Sequence, residues 1–248
     1  MIMRGIICLL VVLALQIGFG SVSAQIPDEF TNLKVLPKEI SKRDLIDIVR
    51  AFSGGLGQRC TYCHPGKNPD TLDGVDFASD ELKHKTIARD MMKMVTEIND
   101  RLIPAAGMES PARVRCVTCH RGVSEPETLD RLVLSVAKEK GVDAAIGKYR
   151  ELRQQYYGSG SYSFAAGTLN TVAEKLAQEE GNLAGAIDVM KVNVETNPDA
   201  AYSHLLLGQF LAENGDKEAA IASIERSLEL EPDNNWARKT LEQIRGGE

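Results

Sequence analysis

The sequence predicts a mainly α-helical protein in two domains, a small one of helices and loops followed by an array of helical hairpins. Three observations carry that prediction. Two short cysteine and histidine motifs each follow an amphipathic stretch with helical spacing, and near Pro126 the composition switches to helix formers punctuated by Gly and Pro. In the second half Pro198 and Pro232 stand 34 residues apart. The 248 residues hold 29 Lys and Arg against 35 Asp and Glu, for a formal net charge of −6. That balance speaks against nucleic acid as a partner and favours solubility and steered encounters with basic patches on other proteins.

Residues 1–24 read as a signal peptide. Met1 to Arg4 form a short positive n-region and Gly5 to Phe19 an apolar stretch of h-region length. Ser21-Val22-Ser23-Ala24 then places small residues before a cleavage between Ala24 and Gln25. The apolar stretch is short for a membrane span, and no later run of roughly 18 apolar residues follows. An exported, periplasmic and soluble mature chain without a membrane span is therefore expected, an uncleaved N-terminal anchor being the competing reading. Its length of about 224 residues allows one or two domains, and the switch at Pro126 divides it into 25–125 and 126–248.

In the first domain, Ser41-Lys42-Arg43-Asp44 offers a capping-box-type start. Leu45, Ile48, Val49 and Phe52 then share one face of a helix expected to end at Gly54-Gly55. Next comes Cys60-Thr61-Tyr62-Cys63-His64. A second, longer helix capped by Ser79 or Asp80 carries Ile87, Met91, Met94, Val95, Ile98 and Leu102 as an apolar stripe that stops before Pro104. It leads to Cys116-Val117-Thr118-Cys119-His120. The domain thus duplicates a helix, a loop and a motif.

Both motifs have the C-x-x-C-H form of c-type haem attachment. Two thiols one turn apart suit thioethers to the two vinyl groups of one porphyrin, and the adjacent imidazole then lies beneath the iron. Cys8 leaves with the signal, so Cys60, Cys63, Cys116 and Cys119 are the whole thiol complement of the mature chain. A zinc site leaves the two identically placed histidines unexplained. A redox dithiol suits the compartment but wants a βαβ context that is missing, and a disulfide within each pair would constrain little. The expected cofactors are two covalently bound haem c groups, with His64 and His120 as proximal iron ligands. Only two further histidines, His84 and His204, exist. Arg59, Arg115 and Arg121 flank the motifs as candidate partners of haem propionates.

Asn32-Leu33-Lys34-Val35-Leu36-Pro37, Arg59 to His64, Phe77-Ala78-Ser79-Asp80, Ala88 to Met94 and Cys116 to Gly122 together resemble the cytochrome c subunit family of photosynthetic reaction centres. The resemblance covers about Asn32 to Gly122. It implies that a methionine from the helix preceding each attachment motif binds the iron, which makes Met94, 22 residues before Cys116, the candidate sixth ligand of the second haem. Thioether sulfur suits haem iron and raises its potential relative to a second imidazole, whereas flexible core filler is the structural alternative for this methionine cluster.

The chain departs from the family in having two motifs where the reaction-centre subunit has four, and in placing Val49 where the first helix would offer methionine. Candidates for the first haem are then His84, Met92 or Met108, or an open position. His84 lies seven residues before Met91, on nearly the same helix face, and about 15 Å along the axis from Met94, so one helix could serve both haems.

In the second domain, counting back from Pro232 puts Leu207, Gly208, Ala220 and Ile224 at characteristic positions of a 34-residue repeat. Ala201 to Asn234 thereby resembles the tetratricopeptide family. The unit from Gly167 to Asp199 is degenerate, with Glu174 where glycine is expected, and Gly141 to Tyr157 repeats the second-helix pattern through Ala145 and Tyr149. Asn235 to Arg245 reads as a terminal helix and His204 as a core residue, while Tyr156 to Tyr162 reads as a loop with no assigned chemistry. Such arrays bind proteins on a concave surface, although this one could instead be a clamp packed on the first domain. The expected function is one-electron transfer between donor and acceptor proteins, docked partly through the repeats, with no catalytic residues; the resemblance implies donation toward a photosynthetic centre. A haem enzyme or small-ligand sensor using an open sixth position on the first haem is the alternative.

Overall fold

The computed structural model describes residues 26–107 and 112–246, and among these every regular element is helical. The signal segment and Met108 lie outside the described residues. The chain divides into two compact units. The first runs to Ile48 and resumes from Arg59 to Ala112, and the second takes Val49–Gln58 and Arg113 onward.

Helix α1 (Lys42–Leu56) starts as its sequence dictates, with Ser41 Oγ accepting the Asp44 N–H at 3.1 Å and donating to the Asp44 carboxylate at 2.7 Å. It does not stop at Gly54-Gly55. The helix continues to Leu56, Gly57 adopts φ +63° just beyond it, and the Gln58 N–H closes on the Ser53 carbonyl at 3.1 Å, a Schellman-type end.

Helix α2 (Lys83–Glu97) has Leu82 at its N-cap, with no capping side chain. Ser79 and Asp80 lie upstream of it, and Asp80 is committed elsewhere. The helical path does not end before Pro104 either. It passes through a π turn (Ile98–Leu102) into the short α3 (Ile103–Ala105), whose first turn holds Pro104. Proline lacks an N–H and crowds the carbonyl four residues back, and the wider turn relieves both. Among the described residues of the first unit, no side chain is fully buried.

The second unit contains α4 (Cys116–His120), then the hairpins α5 (Leu129–Lys140) with α6 (Val142–Tyr156), α7 (Ala166–Gln178) with α8 (Leu183–Thr196) and α9 (Ala201–Glu213) with α10 (Lys217–Leu230), closed by α11 (Asn235–Gly246) on α10. The 34-residue period recurs in the local geometry. Gly181 and Gly215 both have positive φ, and the next residues, Asn182 and Asp216, cap α8 and α10 by accepting the N–H of Gly185 at 2.9 Å and Ala219 at 3.2 Å. A Cβ on Gly208 would lie 2.4 Å from Ile224 Cγ1 and 3.0 Å from the Ala220 carbonyl, so this glycine sets the close approach of α9 and α10.

Leu129, Val133, Tyr149, Val172, Met190 and Leu206 belong to a continuous core running through the hairpins. Inside it Asn193 donates to Asn170 Oδ1 at 2.7 Å and to the Ala166 carbonyl at 2.9 Å, and Ser203 Oγ donates to Asn170 at 2.8 Å. This buried triangle ties α7, α8 and α9. His204, expected in the core, is half-buried instead, its Nε2 donating to the Pro198 carbonyl at 2.9 Å across the α8–α9 turn.

Candidate haem attachment sites

In the second motif, helix α4 brings Cys116, Cys119 and His120 together by its periodicity, because residues three and four apart share a face. Arg115 begins the helix with its N–H donating to Thr118 Oγ1 at 3.0 Å. The exit is a tight turn. Arg121 takes a left-handed conformation at φ 48°, Gly122 follows at φ 88°, and the Val123 N–H returns to the His120 carbonyl at 3.0 Å. This brings the Val123 carbonyl 3.0 Å from His120 Nδ1, which donates to it. Nε2 is thereby left as the ligating nitrogen, the arrangement in which a hydrogen-bonded imidazole binds a metal.

Glycines seat this turn within the second unit. The Gly122 N–H donates to the Gly55 carbonyl at 2.9 Å, and a Cβ on Gly57 would sit 2.0 Å from the Gly122 carbonyl oxygen. Gly55 itself packs on Cys116 and Val117, where an added Cβ would meet Val117 N at 3.0 Å. A cleft of roughly 470 Å³ opens beside the motif, lined by Gly54, Val117, Arg121, Tyr156, Gly160 and Ser161.

The first motif reaches a similar turn by another route. Cys60–Tyr62 form a single 3-10 turn, and the His64 N–H donates to the Cys60 carbonyl at 3.0 Å. Pro65 stands where the second motif has Arg121, and proline disfavours helical geometry at the residue before it. The His64 Nδ1 is buried without a hydrogen-bond partner. Burial pushes the His64 pKa down and the positive charge of Lys85 adds to this, while the Phe77 ring lies 5.1 Å away.

His84 stands in the first turn of α2, with its ring stacked on Tyr62 at 3.9 Å and its Nδ1 donating to the Tyr62 carbonyl at 2.9 Å. This too leaves Nε2 free of that bond. Met94 is 48% exposed on α2 with Ile87 and Met91, and Leu102 is exposed in the π turn beyond, while Val95 and Ile98 of the same apolar stripe are half-buried. Of the flanking arginines, Arg59 pairs with Asp70 at 2.7 Å on the surface.

The segments that carry the family resemblance in the first unit converge on Asp80. Its carboxylate accepts from Lys34 at 2.6 Å, Arg89 at 2.7 Å and Asn32 at 2.9 Å, and pairs with Lys85 at 3.3 Å. Arg89 also donates to the Asn32 carbonyl at 3.0 Å, and Lys85 to the carbonyls of Phe77, Ala78 and Ser79. Sequence reasoning gave Asp80 a capping role and missed this hub. The only signal was the joint occurrence of these segments.

The donor set fits covalent haem better than its rivals. Burial raises the pKa of the Cys63 and Cys116 thiols, with the neighbouring cysteine acting in the same direction on each, whereas a reactive redox dithiol needs a lowered one. Among the described residues no three His, Cys, Asp or Glu side chains gather to hold a metal ion in the manner of zinc. The paired thiols and their adjacent imidazoles therefore match the donor set of c-type haem attachment.

The sequence model of the photosynthetic reaction centre cytochrome c subunit matches residues 20–171, more than half of the chain. The chain belongs to that family. It is 38% identical over 68 residues to cytochrome c-554 of Chloroflexus aurantiacus, a match that covers 27% of this chain and 14% of that protein's length. Among solved structures, the first TPR of Spaghetti (RPAP3) bound to the HSP90 peptide SRMEEVD is similar at 21% identity and a TM-score of 0.34, covering 48% of this chain and 89% of that one. No described helix is long and apolar enough to cross a membrane.

Proposed function

We propose that the chain is an exported dihaem cytochrome that passes single electrons between protein partners of a photosynthetic or respiratory chain. Haem c joined to Cys60 and Cys63, and again to Cys116 and Cys119, would supply iron that cycles between two oxidation states one electron apart. His64 and His120 would hold the two irons, with Met94 as a further ligand for the second and His84 for the first. The observation that carries this reading is the combination of two attachment motifs with a first unit in which no described side chain is fully buried and Ile87, Met91, Met94 and Leu102 stand exposed. A large flat apolar group is what such a surface lacks.

The chain's own residues orient rather than react. His120 is held by the Val123 carbonyl and His84 by that of Tyr62, so each presents Nε2. The acidic surface favours donor and acceptor proteins with basic patches, docked in part on the helical hairpins.

The test is the mass and spectrum of the protein expressed with haem-attachment machinery. Two haems per chain are expected, falling to one in Cys116→Ala/Cys119→Ala, with low-spin spectra unaltered by carbon monoxide after reduction. Carbon monoxide binding at one centre would overturn the His84 assignment in favour of a small-ligand site. A colourless protein with four free thiols would overturn the whole reading.

A further inference from the structure

The loop between α6 and α7 has a role that the repeat pattern does not explain. Ser159 Oγ donates to the Tyr156 carbonyl at 2.7 Å and accepts the Ser161 N–H at 3.2 Å, which folds the loop on itself. Tyr156 and Tyr162 meet edge to face at 5.4 Å, and Tyr162 continues to Phe164 at 6.4 Å, which is buried in the hairpin core. So anchored, the loop directs one side chain at the second attachment motif: Ser161 Oγ donates to the Arg121 carbonyl at 2.6 Å.

Arg121 is the left-handed residue of the exit turn, and among the described residues the one non-glycine with positive φ. A left-handed conformation is strained for a residue with a Cβ and needs outside support. The same turn sets the Val123 carbonyl against His120 Nδ1. Support on the Arg121 carbonyl therefore passes, two residues on, to the acceptor that orients the imidazole.

We propose that Ser161 is a positioning residue for the second haem iron, acting through the Arg121–Val123 turn on the Nδ1 hydrogen bond of His120. This rests on the reading of His120 as an iron ligand. An imidazole whose N–H is hydrogen-bonded is a more basic ligand, and a more basic ligand favours the oxidised iron. Loosening the turn weakens that bond and raises the midpoint of the second haem alone.

The experiment is a redox titration of the holoprotein with proton NMR of the His120 ring N–H. In Ser161→Ala, two haems remain, one midpoint rises and the His120 ring N–H exchanges faster with solvent. That midpoint is assigned to the second haem by its absence in Cys116→Ala/Cys119→Ala. Ser161→Thr, which restores the hydroxyl, returns both readouts to wild type, and Ser163→Ala, a hydroxyl deletion in the same loop outside this contact, leaves them unchanged. Should Ser161→Ala not fold, Ser161→Cys, with its weaker donor, shows a smaller shift of the same sign. Two haems with both midpoints and the His120 N–H exchange unmoved in either Ser161 variant would overturn the proposal. Failure of the underlying reading is distinguishable, because the wild-type protein would then lack haem at Cys116 and Cys119.

Discussion

Hydrogen bonds from Lys34 above all, then from Asn32, Arg89 and Lys85, hold the Asp80 carboxyl well below the usual carboxylate range. A folded-state pKa depressed in this way stabilises the fold at all pH values above the ordinary carboxylate pKa, and the contribution disappears as pH falls from there toward the folded value. Thermal melting of the holoprotein should thus lose Tm as pH drops below about 4. Asp80→Asn should melt lower at neutral pH and show a flatter acid limb; an acid limb identical to wild type would remove Asp80 from the account. The carboxylate is part-exposed, so the neutral-pH difference should shrink with added salt. At this scale the two motifs are legible because each is five consecutive residues. The Asp80 hub is not, because it joins residues 32 to 34 with residues 80 to 89, and nothing local to Asp80 distinguishes it from a helix cap.

Among the elements, α1 and α2 show where local propensity misleads. Gly54-Gly55 reads as a stop because glycine weakens helices, yet these residues remain helical and the missing side chain of Gly55 makes room for α4. Gly57→Ala should destabilise the second unit by about 1–3 kcal/mol, since the new Cβ meets the Gly122 carbonyl and the positive φ is strained for alanine. Circular dichroism melts check the magnitude. A Tm equal to wild type would mean that α1 and the exit turn separate without cost. Pro104 likewise reads as a terminus, and the π turn that carries the helical path past it has no signature beyond the proline. The hairpins, by contrast, were legible from Pro198, Pro232, Gly208 and Ala220, because repeat stacking rests on nearest-neighbour packing that recurs at a fixed spacing.

On the scale of the whole molecule, the two units differ in what holds them. The second has a continuous core and a buried amide and hydroxyl triangle, whereas the first relies on polar links such as the Asp80 hub and leaves Ile87, Met91, Met94 and Leu102 exposed. Small units without a sufficient core depend on a bound group for stability. Hydrogen exchange of protein made without haem attachment should show residues 129–245 protected and residues 26–48 and 59–107 exchanging rapidly. Equal protection in both would show that the first unit folds without its cofactor.

With no fully buried side chain among its described residues, the first unit ties the chain's resistance to cleavage to its cofactor. Under the proposed function, polypeptide that met no haem would be cut within residues 26–48 and 59–107 while the trailing helices held, so that truncated fragments would report a shortage of cofactor.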